Sequence, residues 1–249
     1  GSNNLKNTNN LKTSIVNNIT YSTNDIYSNL GFVNNFNIFF KNTNITAKND
    51  VLNKSSIQSE ILNIYEINTS IPLIKEDDKY LNMLTPKISF RINPSDMKNH
   101  STEDRLLTTD NIFDVERLGL SDSYESGKSI TFGIDFKKED RVYNDKFLEI
   151  KLASILRDKN EDKIPKSSSA NRTSSNLFGS IENSFSKFLT LNYDFSLDND
   201  YNKFEHNNIE AEFTVNNFVT KFNFLELNGE MGDSNTLQNI TKFNYDENN

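Results

Sequence analysis

Apolar and polar residues alternate with a period of two along most of this chain. In KSITFGIDF, residues 128–136, the apolar set occupies every second position: Ile130, Phe132, Ile134 and Phe136. Successive side chains of a β-strand point to opposite faces of the sheet, so this pattern predicts a strand with one apolar side. The pattern recurs in LTPKISFRIN, FLEIKLASILR, FLTLNYDFSL and NNIEAEFTV. Counting such segments from Leu11 to Tyr245 predicts about eleven strands, the first three near 12–26, 32–46 and 55–69.

The alternation leaves open what the apolar side touches. It is either the core of a soluble β-protein or lipid, in which case the polar side lines a watery lumen. Only 35% of the residues are hydrophobic, yet the chain holds 19 Phe and 9 Tyr, which suits a sheet with one apolar and one wet face. There is no run of about 18 apolar residues, so no transmembrane helix is predicted. A membrane β-barrel stays possible, because each of its strands needs only about 9–11 residues.

Short and long connections alternate between the predicted strands. Tight turns are predicted between Phe185 and Phe188 and at Asn216-Asn217, since Asn tolerates the positive φ of two-residue hairpins. The longer polar links lie near 94–127, 158–175, 199–204 and 228–236. This order is typical of an up-and-down meander with one end in the periplasm and the other outside. The predicted fold is therefore all-β: an antiparallel up-and-down meander that is part of a transmembrane outer-membrane β-barrel.

The sequence also predicts that the chain is a fragment. It starts with GSNNLKNTNN rather than with Met, and an odd number of strands does not close the usual bacterial barrel. We expect residues 1–249 to form one partial barrel domain, in which residues 1–10 are disordered or a fragment end.

Several function classes have no support in the sequence. The net charge of −8 argues against a nucleic-acid binder. The chain has no Cys, the acidic runs 76–78 and 198–200 lack the ligand spacing of a Ca²⁺ loop, and His100 and His206 lie far apart. We therefore predict no enzyme activity, no metal and no cofactor.

One loop carries a more specific pattern. The segment LTPKISFRINPSDMKN is followed by DNIFDVERLGLSDSYESGKSITFGIDF, and the pattern residues of that loop are Asn111, Phe113, Arg117, Gly119, Asp122, Glu125 and Gly127. Together these segments resemble the barrel of the LptD family of lipopolysaccharide-assembly proteins, in an α-proteobacterial form. Ser123 stands where that family often has Arg. The resemblance covers most of the chain, and the loop is its most distinctive part.

The resemblance implies a function and partners. It implies a barrel in the cell outer membrane that inserts lipopolysaccharide into the outer leaflet, an LptE-like plug lipoprotein, and an LptA-like periplasmic bridge that binds through a jelly-roll domain missing here. Without Cys, the disulfide-dependent maturation of some relatives cannot operate within this segment. The alternatives are a passive porin-like or adhesin barrel fragment and a soluble β-sandwich binding module.

Two groups of residues are candidates for functional roles. The loop run is predicted to form an extracellular lid over the lumen, ordered by Arg117 with one of four nearby carboxylates: Asp114, Glu116, Asp122 or Glu125. The alternative is an ordinary surface loop. The basic residues predicted to face the lumen are Lys87, Arg91, Lys151 and Arg157. They would bind lipid phosphates or simply balance the acidic side chains of a wet interior. On this scheme a charge at Phe132 is unfavourable, whereas a charge at Thr131 is tolerated.

Overall fold

The computed structural model describes residues 2–4, 11–49, 55–120, 123–143, 146–229 and 232–243, and its strands form one antiparallel sheet. The first seven strands are β1 Ser2–Asn4, β2 Leu11–Ser22, β3 Ile26–Tyr27, β4 Val33–Lys48, β5 Gln58–Ser70, β6 Leu73–Glu76 and β7 Tyr80–Asn93. The other seven are β8 Gly127–Asp140, β9 Phe147–Arg157, β10 Leu177–Ser186, β11 Leu189–Leu197, β12 Phe204–Val215, β13 Phe218–Gly229 and β14 Gly232–Phe243. A short 3-10 helix, Lys166–Ser168, lies between β9 and β10.

The strands follow one another in chain order, which confirms the predicted meander. Neighbours along the sheet are β1, β2, β4, β5 and then β7 to β14, while β3 pairs with β4 and β6 pairs with β7. Eleven of the described strands have nine or more residues, in agreement with the predicted number. The sheet is not closed, and β1 and β14 are its edges. Residues 2–4, expected to be disordered or a fragment end, form β1; residues 1 and 5–10 lie outside the described part.

One predicted connection is wrong. The segment 228–236 was expected to be a long polar link, but β13 continues to Gly229 and β14 begins at Gly232, with Asn228 paired to Asp233. β14 is an edge strand whose residues are exposed throughout, so polar residues are tolerated on both of its sides. Its polarity is therefore that of a loop, although its backbone pairs as a strand.

The two faces of the sheet differ in an unusual way. The apolar side chains are exposed: Phe132 is 41% accessible and Ile88 is 46% accessible. On the opposite side of β8, Ser129 and Thr131 are buried. We call these the apolar face and the polar face. The exposure of Phe132 and Phe213 on the single described sheet contradicts the β-sandwich alternative, in which these rings would be buried between two sheets.

The main hydrophobic core lies on the polar face, under the two longest connections, 94–126 and 158–176. Its buried members are Met97, Leu107, Ile112, Leu118, Leu120, Ala153, Ile155, Ile164, Ala170 and Phe178. Ala153, Ile155 and Phe178 belong to β9 and β10, and the others come from the two connections. The loops are thus packed on the sheet by apolar contacts. No helix in the described residues is long and apolar enough to cross a membrane.

Candidate functional site: a two-loop cap on the polar face

The connections 94–126 and 158–176 form one packed unit, which we call the two-loop cap. The backbone N–H of His100 donates to the carbonyl of Lys163 at 2.8 Å, and the backbone N–H of Arg105 donates to Ser167 Oγ at 2.9 Å. Both loops leave the same end of the sheet, because β7 and β9 end there and β8 and β10 begin there. Two loops that leave the same end of the sheet and share one core restrict each other's motion, whereas a single long loop has no such neighbour.

Arg117 is the centre of the cap. Its guanidinium binds Glu125 with two bonds, from Nε to Oε2 at 2.6 Å and from Nη2 to Oε1 at 2.5 Å. Nη1 donates to Thr131 Oγ1 at 2.9 Å, and Nη2 also donates to Ser129 Oγ at 3.0 Å. Arg117 and Glu125 are each 4% exposed. Two parallel bonds between a buried guanidinium and a buried carboxylate make a strong and geometrically specific ion pair.

Arg157 adds a second positive charge to the same carboxylate. It extends from β9, pairs through Nη1 with Glu125 Oε1 and donates through Nη2 to the carbonyl of Ser126. Gly127 leaves room for this contact: a Cβ there would lie 2.8 Å from Arg157 Nη2, and its φ of +89° is one that side-chain-bearing residues rarely adopt. The glycine therefore allows β8 to begin beside the buried guanidinium.

Arg91 binds the backbone of the cap rather than one of its charged side chains. This β7 side chain is buried, and its two terminal nitrogens donate to the carbonyls of Val115 and Asp114. The side chain of Asp114 is therefore not the partner of Arg117, although the sequence left that pairing open. Three arginines, two from strands and one from the loop, thus converge where the cap meets the polar face.

Phe113 lies at the tip of the cap and contacts the middle of the sheet. A Cβ at Gly133 would meet the Phe113 ring at 2.6 Å, so the bare backbone of β8 makes space for that ring. Lys87 Nζ lies 4.8 Å from the ring centroid and 2.6 Å from Asp135 Oδ2. The tip is therefore held by packing, a cation–π contact and an ion pair at its side.

The remaining predicted residues have smaller roles. Asn111 donates to the carbonyl of Leu106 at 3.1 Å and shapes the turn before the tip. Gly119 has a φ of +57° and closes a turn onto Glu116. Lys151 pairs with Asp110 of the cap at 3.1 Å. Asp122, the remaining predicted residue, lies outside the described part of the chain. Lys87, Arg91, Lys151 and Arg157 all lie on the polar face by register.

Sequence reasoning missed a second contact of the cap and misjudged one strand position. Tyr124 packs with the buried Leu62 and Ile64 of β5, which makes a smaller apolar cluster on the polar face. These two apolar residues occupy polar-face positions, a break in the alternation that was a usable signal.

Thr131 was expected to tolerate a charge; it is 1% exposed and bonded to Arg117, so a charge there would be buried under the cap.

The arginines change the acidity of Glu125. Burial alone would raise its pKa, but the positive charges of Arg117, Arg91 and Arg157 outweigh burial and lower the pKa to about 2 from the usual 4.5. A lowered pKa stabilises the folded state fully above the unfolded value, and this stability is lost as the pH falls towards the folded value.

We therefore expect protection of the cap to be constant from pH 7 to about 5 and to decrease as the pH falls from about 4.5 to 2. Pepsin digestion of the folded protein at a series of acidic pH values measures this directly. The variant Glu125→Gln has no carboxyl to titrate at this site, so its digestion should lack that step. A wild-type step absent over this range, or present in both proteins, would contradict the assignment.

Comparison with known proteins was informative for one family. The model of the family described as LptD, LPS transport system D, matches residues 7–246. This match includes every strand from β2 to β14 and both loops of the cap. A search of curated protein sequences found no match.

Proposed function

This chain belongs to the LptD family and has a role in lipopolysaccharide transport, and on that premise we propose that it forms part of the wall of an outer-membrane barrel that inserts lipopolysaccharide into the outer leaflet. The apolar face would contact lipid and the polar face would line the lumen. The two-loop cap would be a lid over that lumen on the extracellular side.

The observation that carries this proposal is the exposure of the apolar face. Exposed aromatic and aliphatic side chains share the apolar face of two pairs of neighbouring strands, β7 with β8 and β12 with β13: Ile88, Phe132, Ile209, Phe213, Phe222 and Phe224. A soluble protein rarely exposes so continuous an apolar surface, whereas a membrane barrel requires one. The basic side chains of β7 and β9 lie on the other face, where the lumen would be: Lys87, Arg91, Lys151 and Arg157.

The cap distinguishes this proposal from a passive pore. A pore with an open lumen has no need for loops that bury seven apolar residues against its wall, whereas a conduit for a large amphiphile must be closed when idle. Beyond the cap, the polar face of β11 to β13 bears both charges, with Lys221 Nζ 2.8 Å from Glu210 Oε1. We propose this uncovered part as the contact surface for an LptE-like plug. An LptA-like bridge would reach the barrel through a domain outside the residues described.

The lipid contact is tested by two neighbouring residues of β13. Phe222 lies mid-strand on the apolar face, and Asn223 lies next to it on the polar face, opposite Glu210. In the full-length protein we expect Phe222→Arg to lower the free energy of unfolding from liposomes by about 2–4 kcal/mol, the penalty for Arg at a bilayer midplane. The measurement is the denaturant dependence of folding into liposomes.

Asn223→Arg is the matched control. Its guanidinium would lie in the lumen beside the Glu210 carboxylate, so the expected change is much smaller. Equal penalties at the two positions would show that neither face contacts hydrocarbon, and the barrel proposal would then fail.

A further inference from the structure

The apolar face carries an acidic side chain, Glu226, within strand β13. Glu226 of β13 pairs with Asn207 of β12, and both side chains lie on the apolar face in register with their exposed neighbours. Glu226 lies three residues before the end of its strand, on the side of the sheet where the long loops emerge. Ionisable groups on a lipid-facing surface are unfavourable, so their presence points to a partner that binds them.

Glu226 ends a short hydrogen-bonded chain. Tyr193 Oη donates to Asn207 Oδ1 at 2.8 Å, and Asn207 Nδ2 donates to Glu226 Oε2 at 3.0 Å. Among the described residues, Glu226 has no ion pair. One carboxylate oxygen therefore stays available to an external donor, while the other is fixed in place by Asn207.

An apolar groove continues from this polar chain. The groove has a volume of about 570 Å³, and its apolar walls are formed by Ile181, Phe185, Leu191, Ile209 and Phe224. The cross-strand register places Glu226 and Asn207 towards the long-loop end and Leu191 and Phe185 towards the tight-turn end. The groove is thus amphipathic along the strand direction, with its polar end towards the long loops and its apolar part towards the tight turns.

We propose that this groove binds one molecule of lipopolysaccharide on the outside of the barrel wall. The acyl chains would lie along the apolar walls, and a sugar hydroxyl or amide N–H would donate to Glu226. A carboxylate repels a phosphate and accepts from a hydroxyl or an amide, so a saccharide headgroup fits this position better than the phosphate of a phospholipid. This inference rests on the proposed function for the ligand and for the side of the membrane, but the groove is separate from the cap and the lumen.

The experiment uses the full-length protein in detergent, with rough lipopolysaccharide and, separately, phosphatidylglycerol as probes in native mass spectrometry. The variant is Glu226→Gln, which keeps size and removes the charge. We expect its affinity for lipopolysaccharide to fall about tenfold, the change that the loss of one hydrogen bond to a charged group produces. Asp78→Asn, in the exposed turn between β6 and β7, removes a carboxylate outside the groove, the cap and the lumen surface; it is the matched control and should bind as the wild type does.

The other outcomes overturn the proposal. Equal affinity of the wild type and Glu226→Gln for lipopolysaccharide, or an equal loss of affinity in the variant and its control, would show that the groove does not select the headgroup. Phosphatidylglycerol binding that depends on Glu226 would make the occupant a phospholipid, and a dimer that depends on it would make the occupant a second copy. Normal delivery of lipopolysaccharide to the cell surface alongside any of these results would refute the groove and leave the proposed function intact.

Discussion

Replacing Glu125 with Gln is expected to open the two-loop cap while the sheet stays folded. The substitution leaves Arg117 and Arg157 buried without their counter-charge, and removing one partner of a buried pair typically destabilises by about 3–5 kcal/mol. The loss should appear in the cap because Arg117 and Glu125 both belong to it. Hydrogen exchange of the folded full-length protein measures it, through the cap amides of Ile112 and Gly119, whose hydrogen bonds stay within the loop.

An exposed ion pair in the same cap supplies the control. Lys163 pairs with Asp96 at the surface, so Lys163→Met removes one charge without burying another. We expect its cap amides to exchange as in the wild type. If Glu125→Gln exchanges no faster than Lys163→Met, the buried cluster does not hold the cap, and its apolar core alone must do so.

The strands were predictable because period two is a local property. A strand that is apolar on one side and polar on the other shows this in its own residues, as β8 does from Ser129 to Phe136. The beginning of β14, residues 232–236, was predicted as part of a link because nothing covers either side of this strand, so its sequence has no reason to alternate. Alternation therefore indicates a strand only where its two sides have different surroundings. A strand that is exposed on both sides is not recognised from its sequence.

The partner of Arg117 was not predictable for a different reason. Four carboxylates lie near Arg117 in sequence, and proximity in sequence does not rank them. Glu125 is selected because it comes two residues before β8 begins, which fixes it against the polar face beside Arg157. Asp114 lies in the turn whose carbonyl binds Arg91. The choice thus depends on how the loop folds onto two strands that are distant in sequence.

Arg117→Ala should weaken the lid without preventing assembly of the barrel. Glu125 keeps Arg157 as a partner, so the expected loss lies towards the lower end of about 3–5 kcal/mol. In cells with the full-length protein, we expect higher permeability to large antibiotics, measured as lower inhibitory concentrations, with normal heat-modifiable migration of the folded barrel. Arg117→Lys should be intermediate, because an ammonium keeps the charge but cannot bind Glu125 with two parallel bonds.

Arg105→Ala is the control for this prediction. Arg105 belongs to the same loop, but its pair with Glu103 is exposed, so permeability should stay that of the wild type. Unchanged permeability in Arg117→Ala, with the barrel assembled, would mean that the cap is an ordinary surface loop and that closure of the lumen depends on other parts of the protein. If permeability increases in Arg117→Ala but not in Arg105→Ala, closure of the lumen depends on the buried pair. Removing Arg117 leaves the Glu125 carboxylate with one guanidinium instead of two, whereas removing Arg105 does not affect this carboxylate.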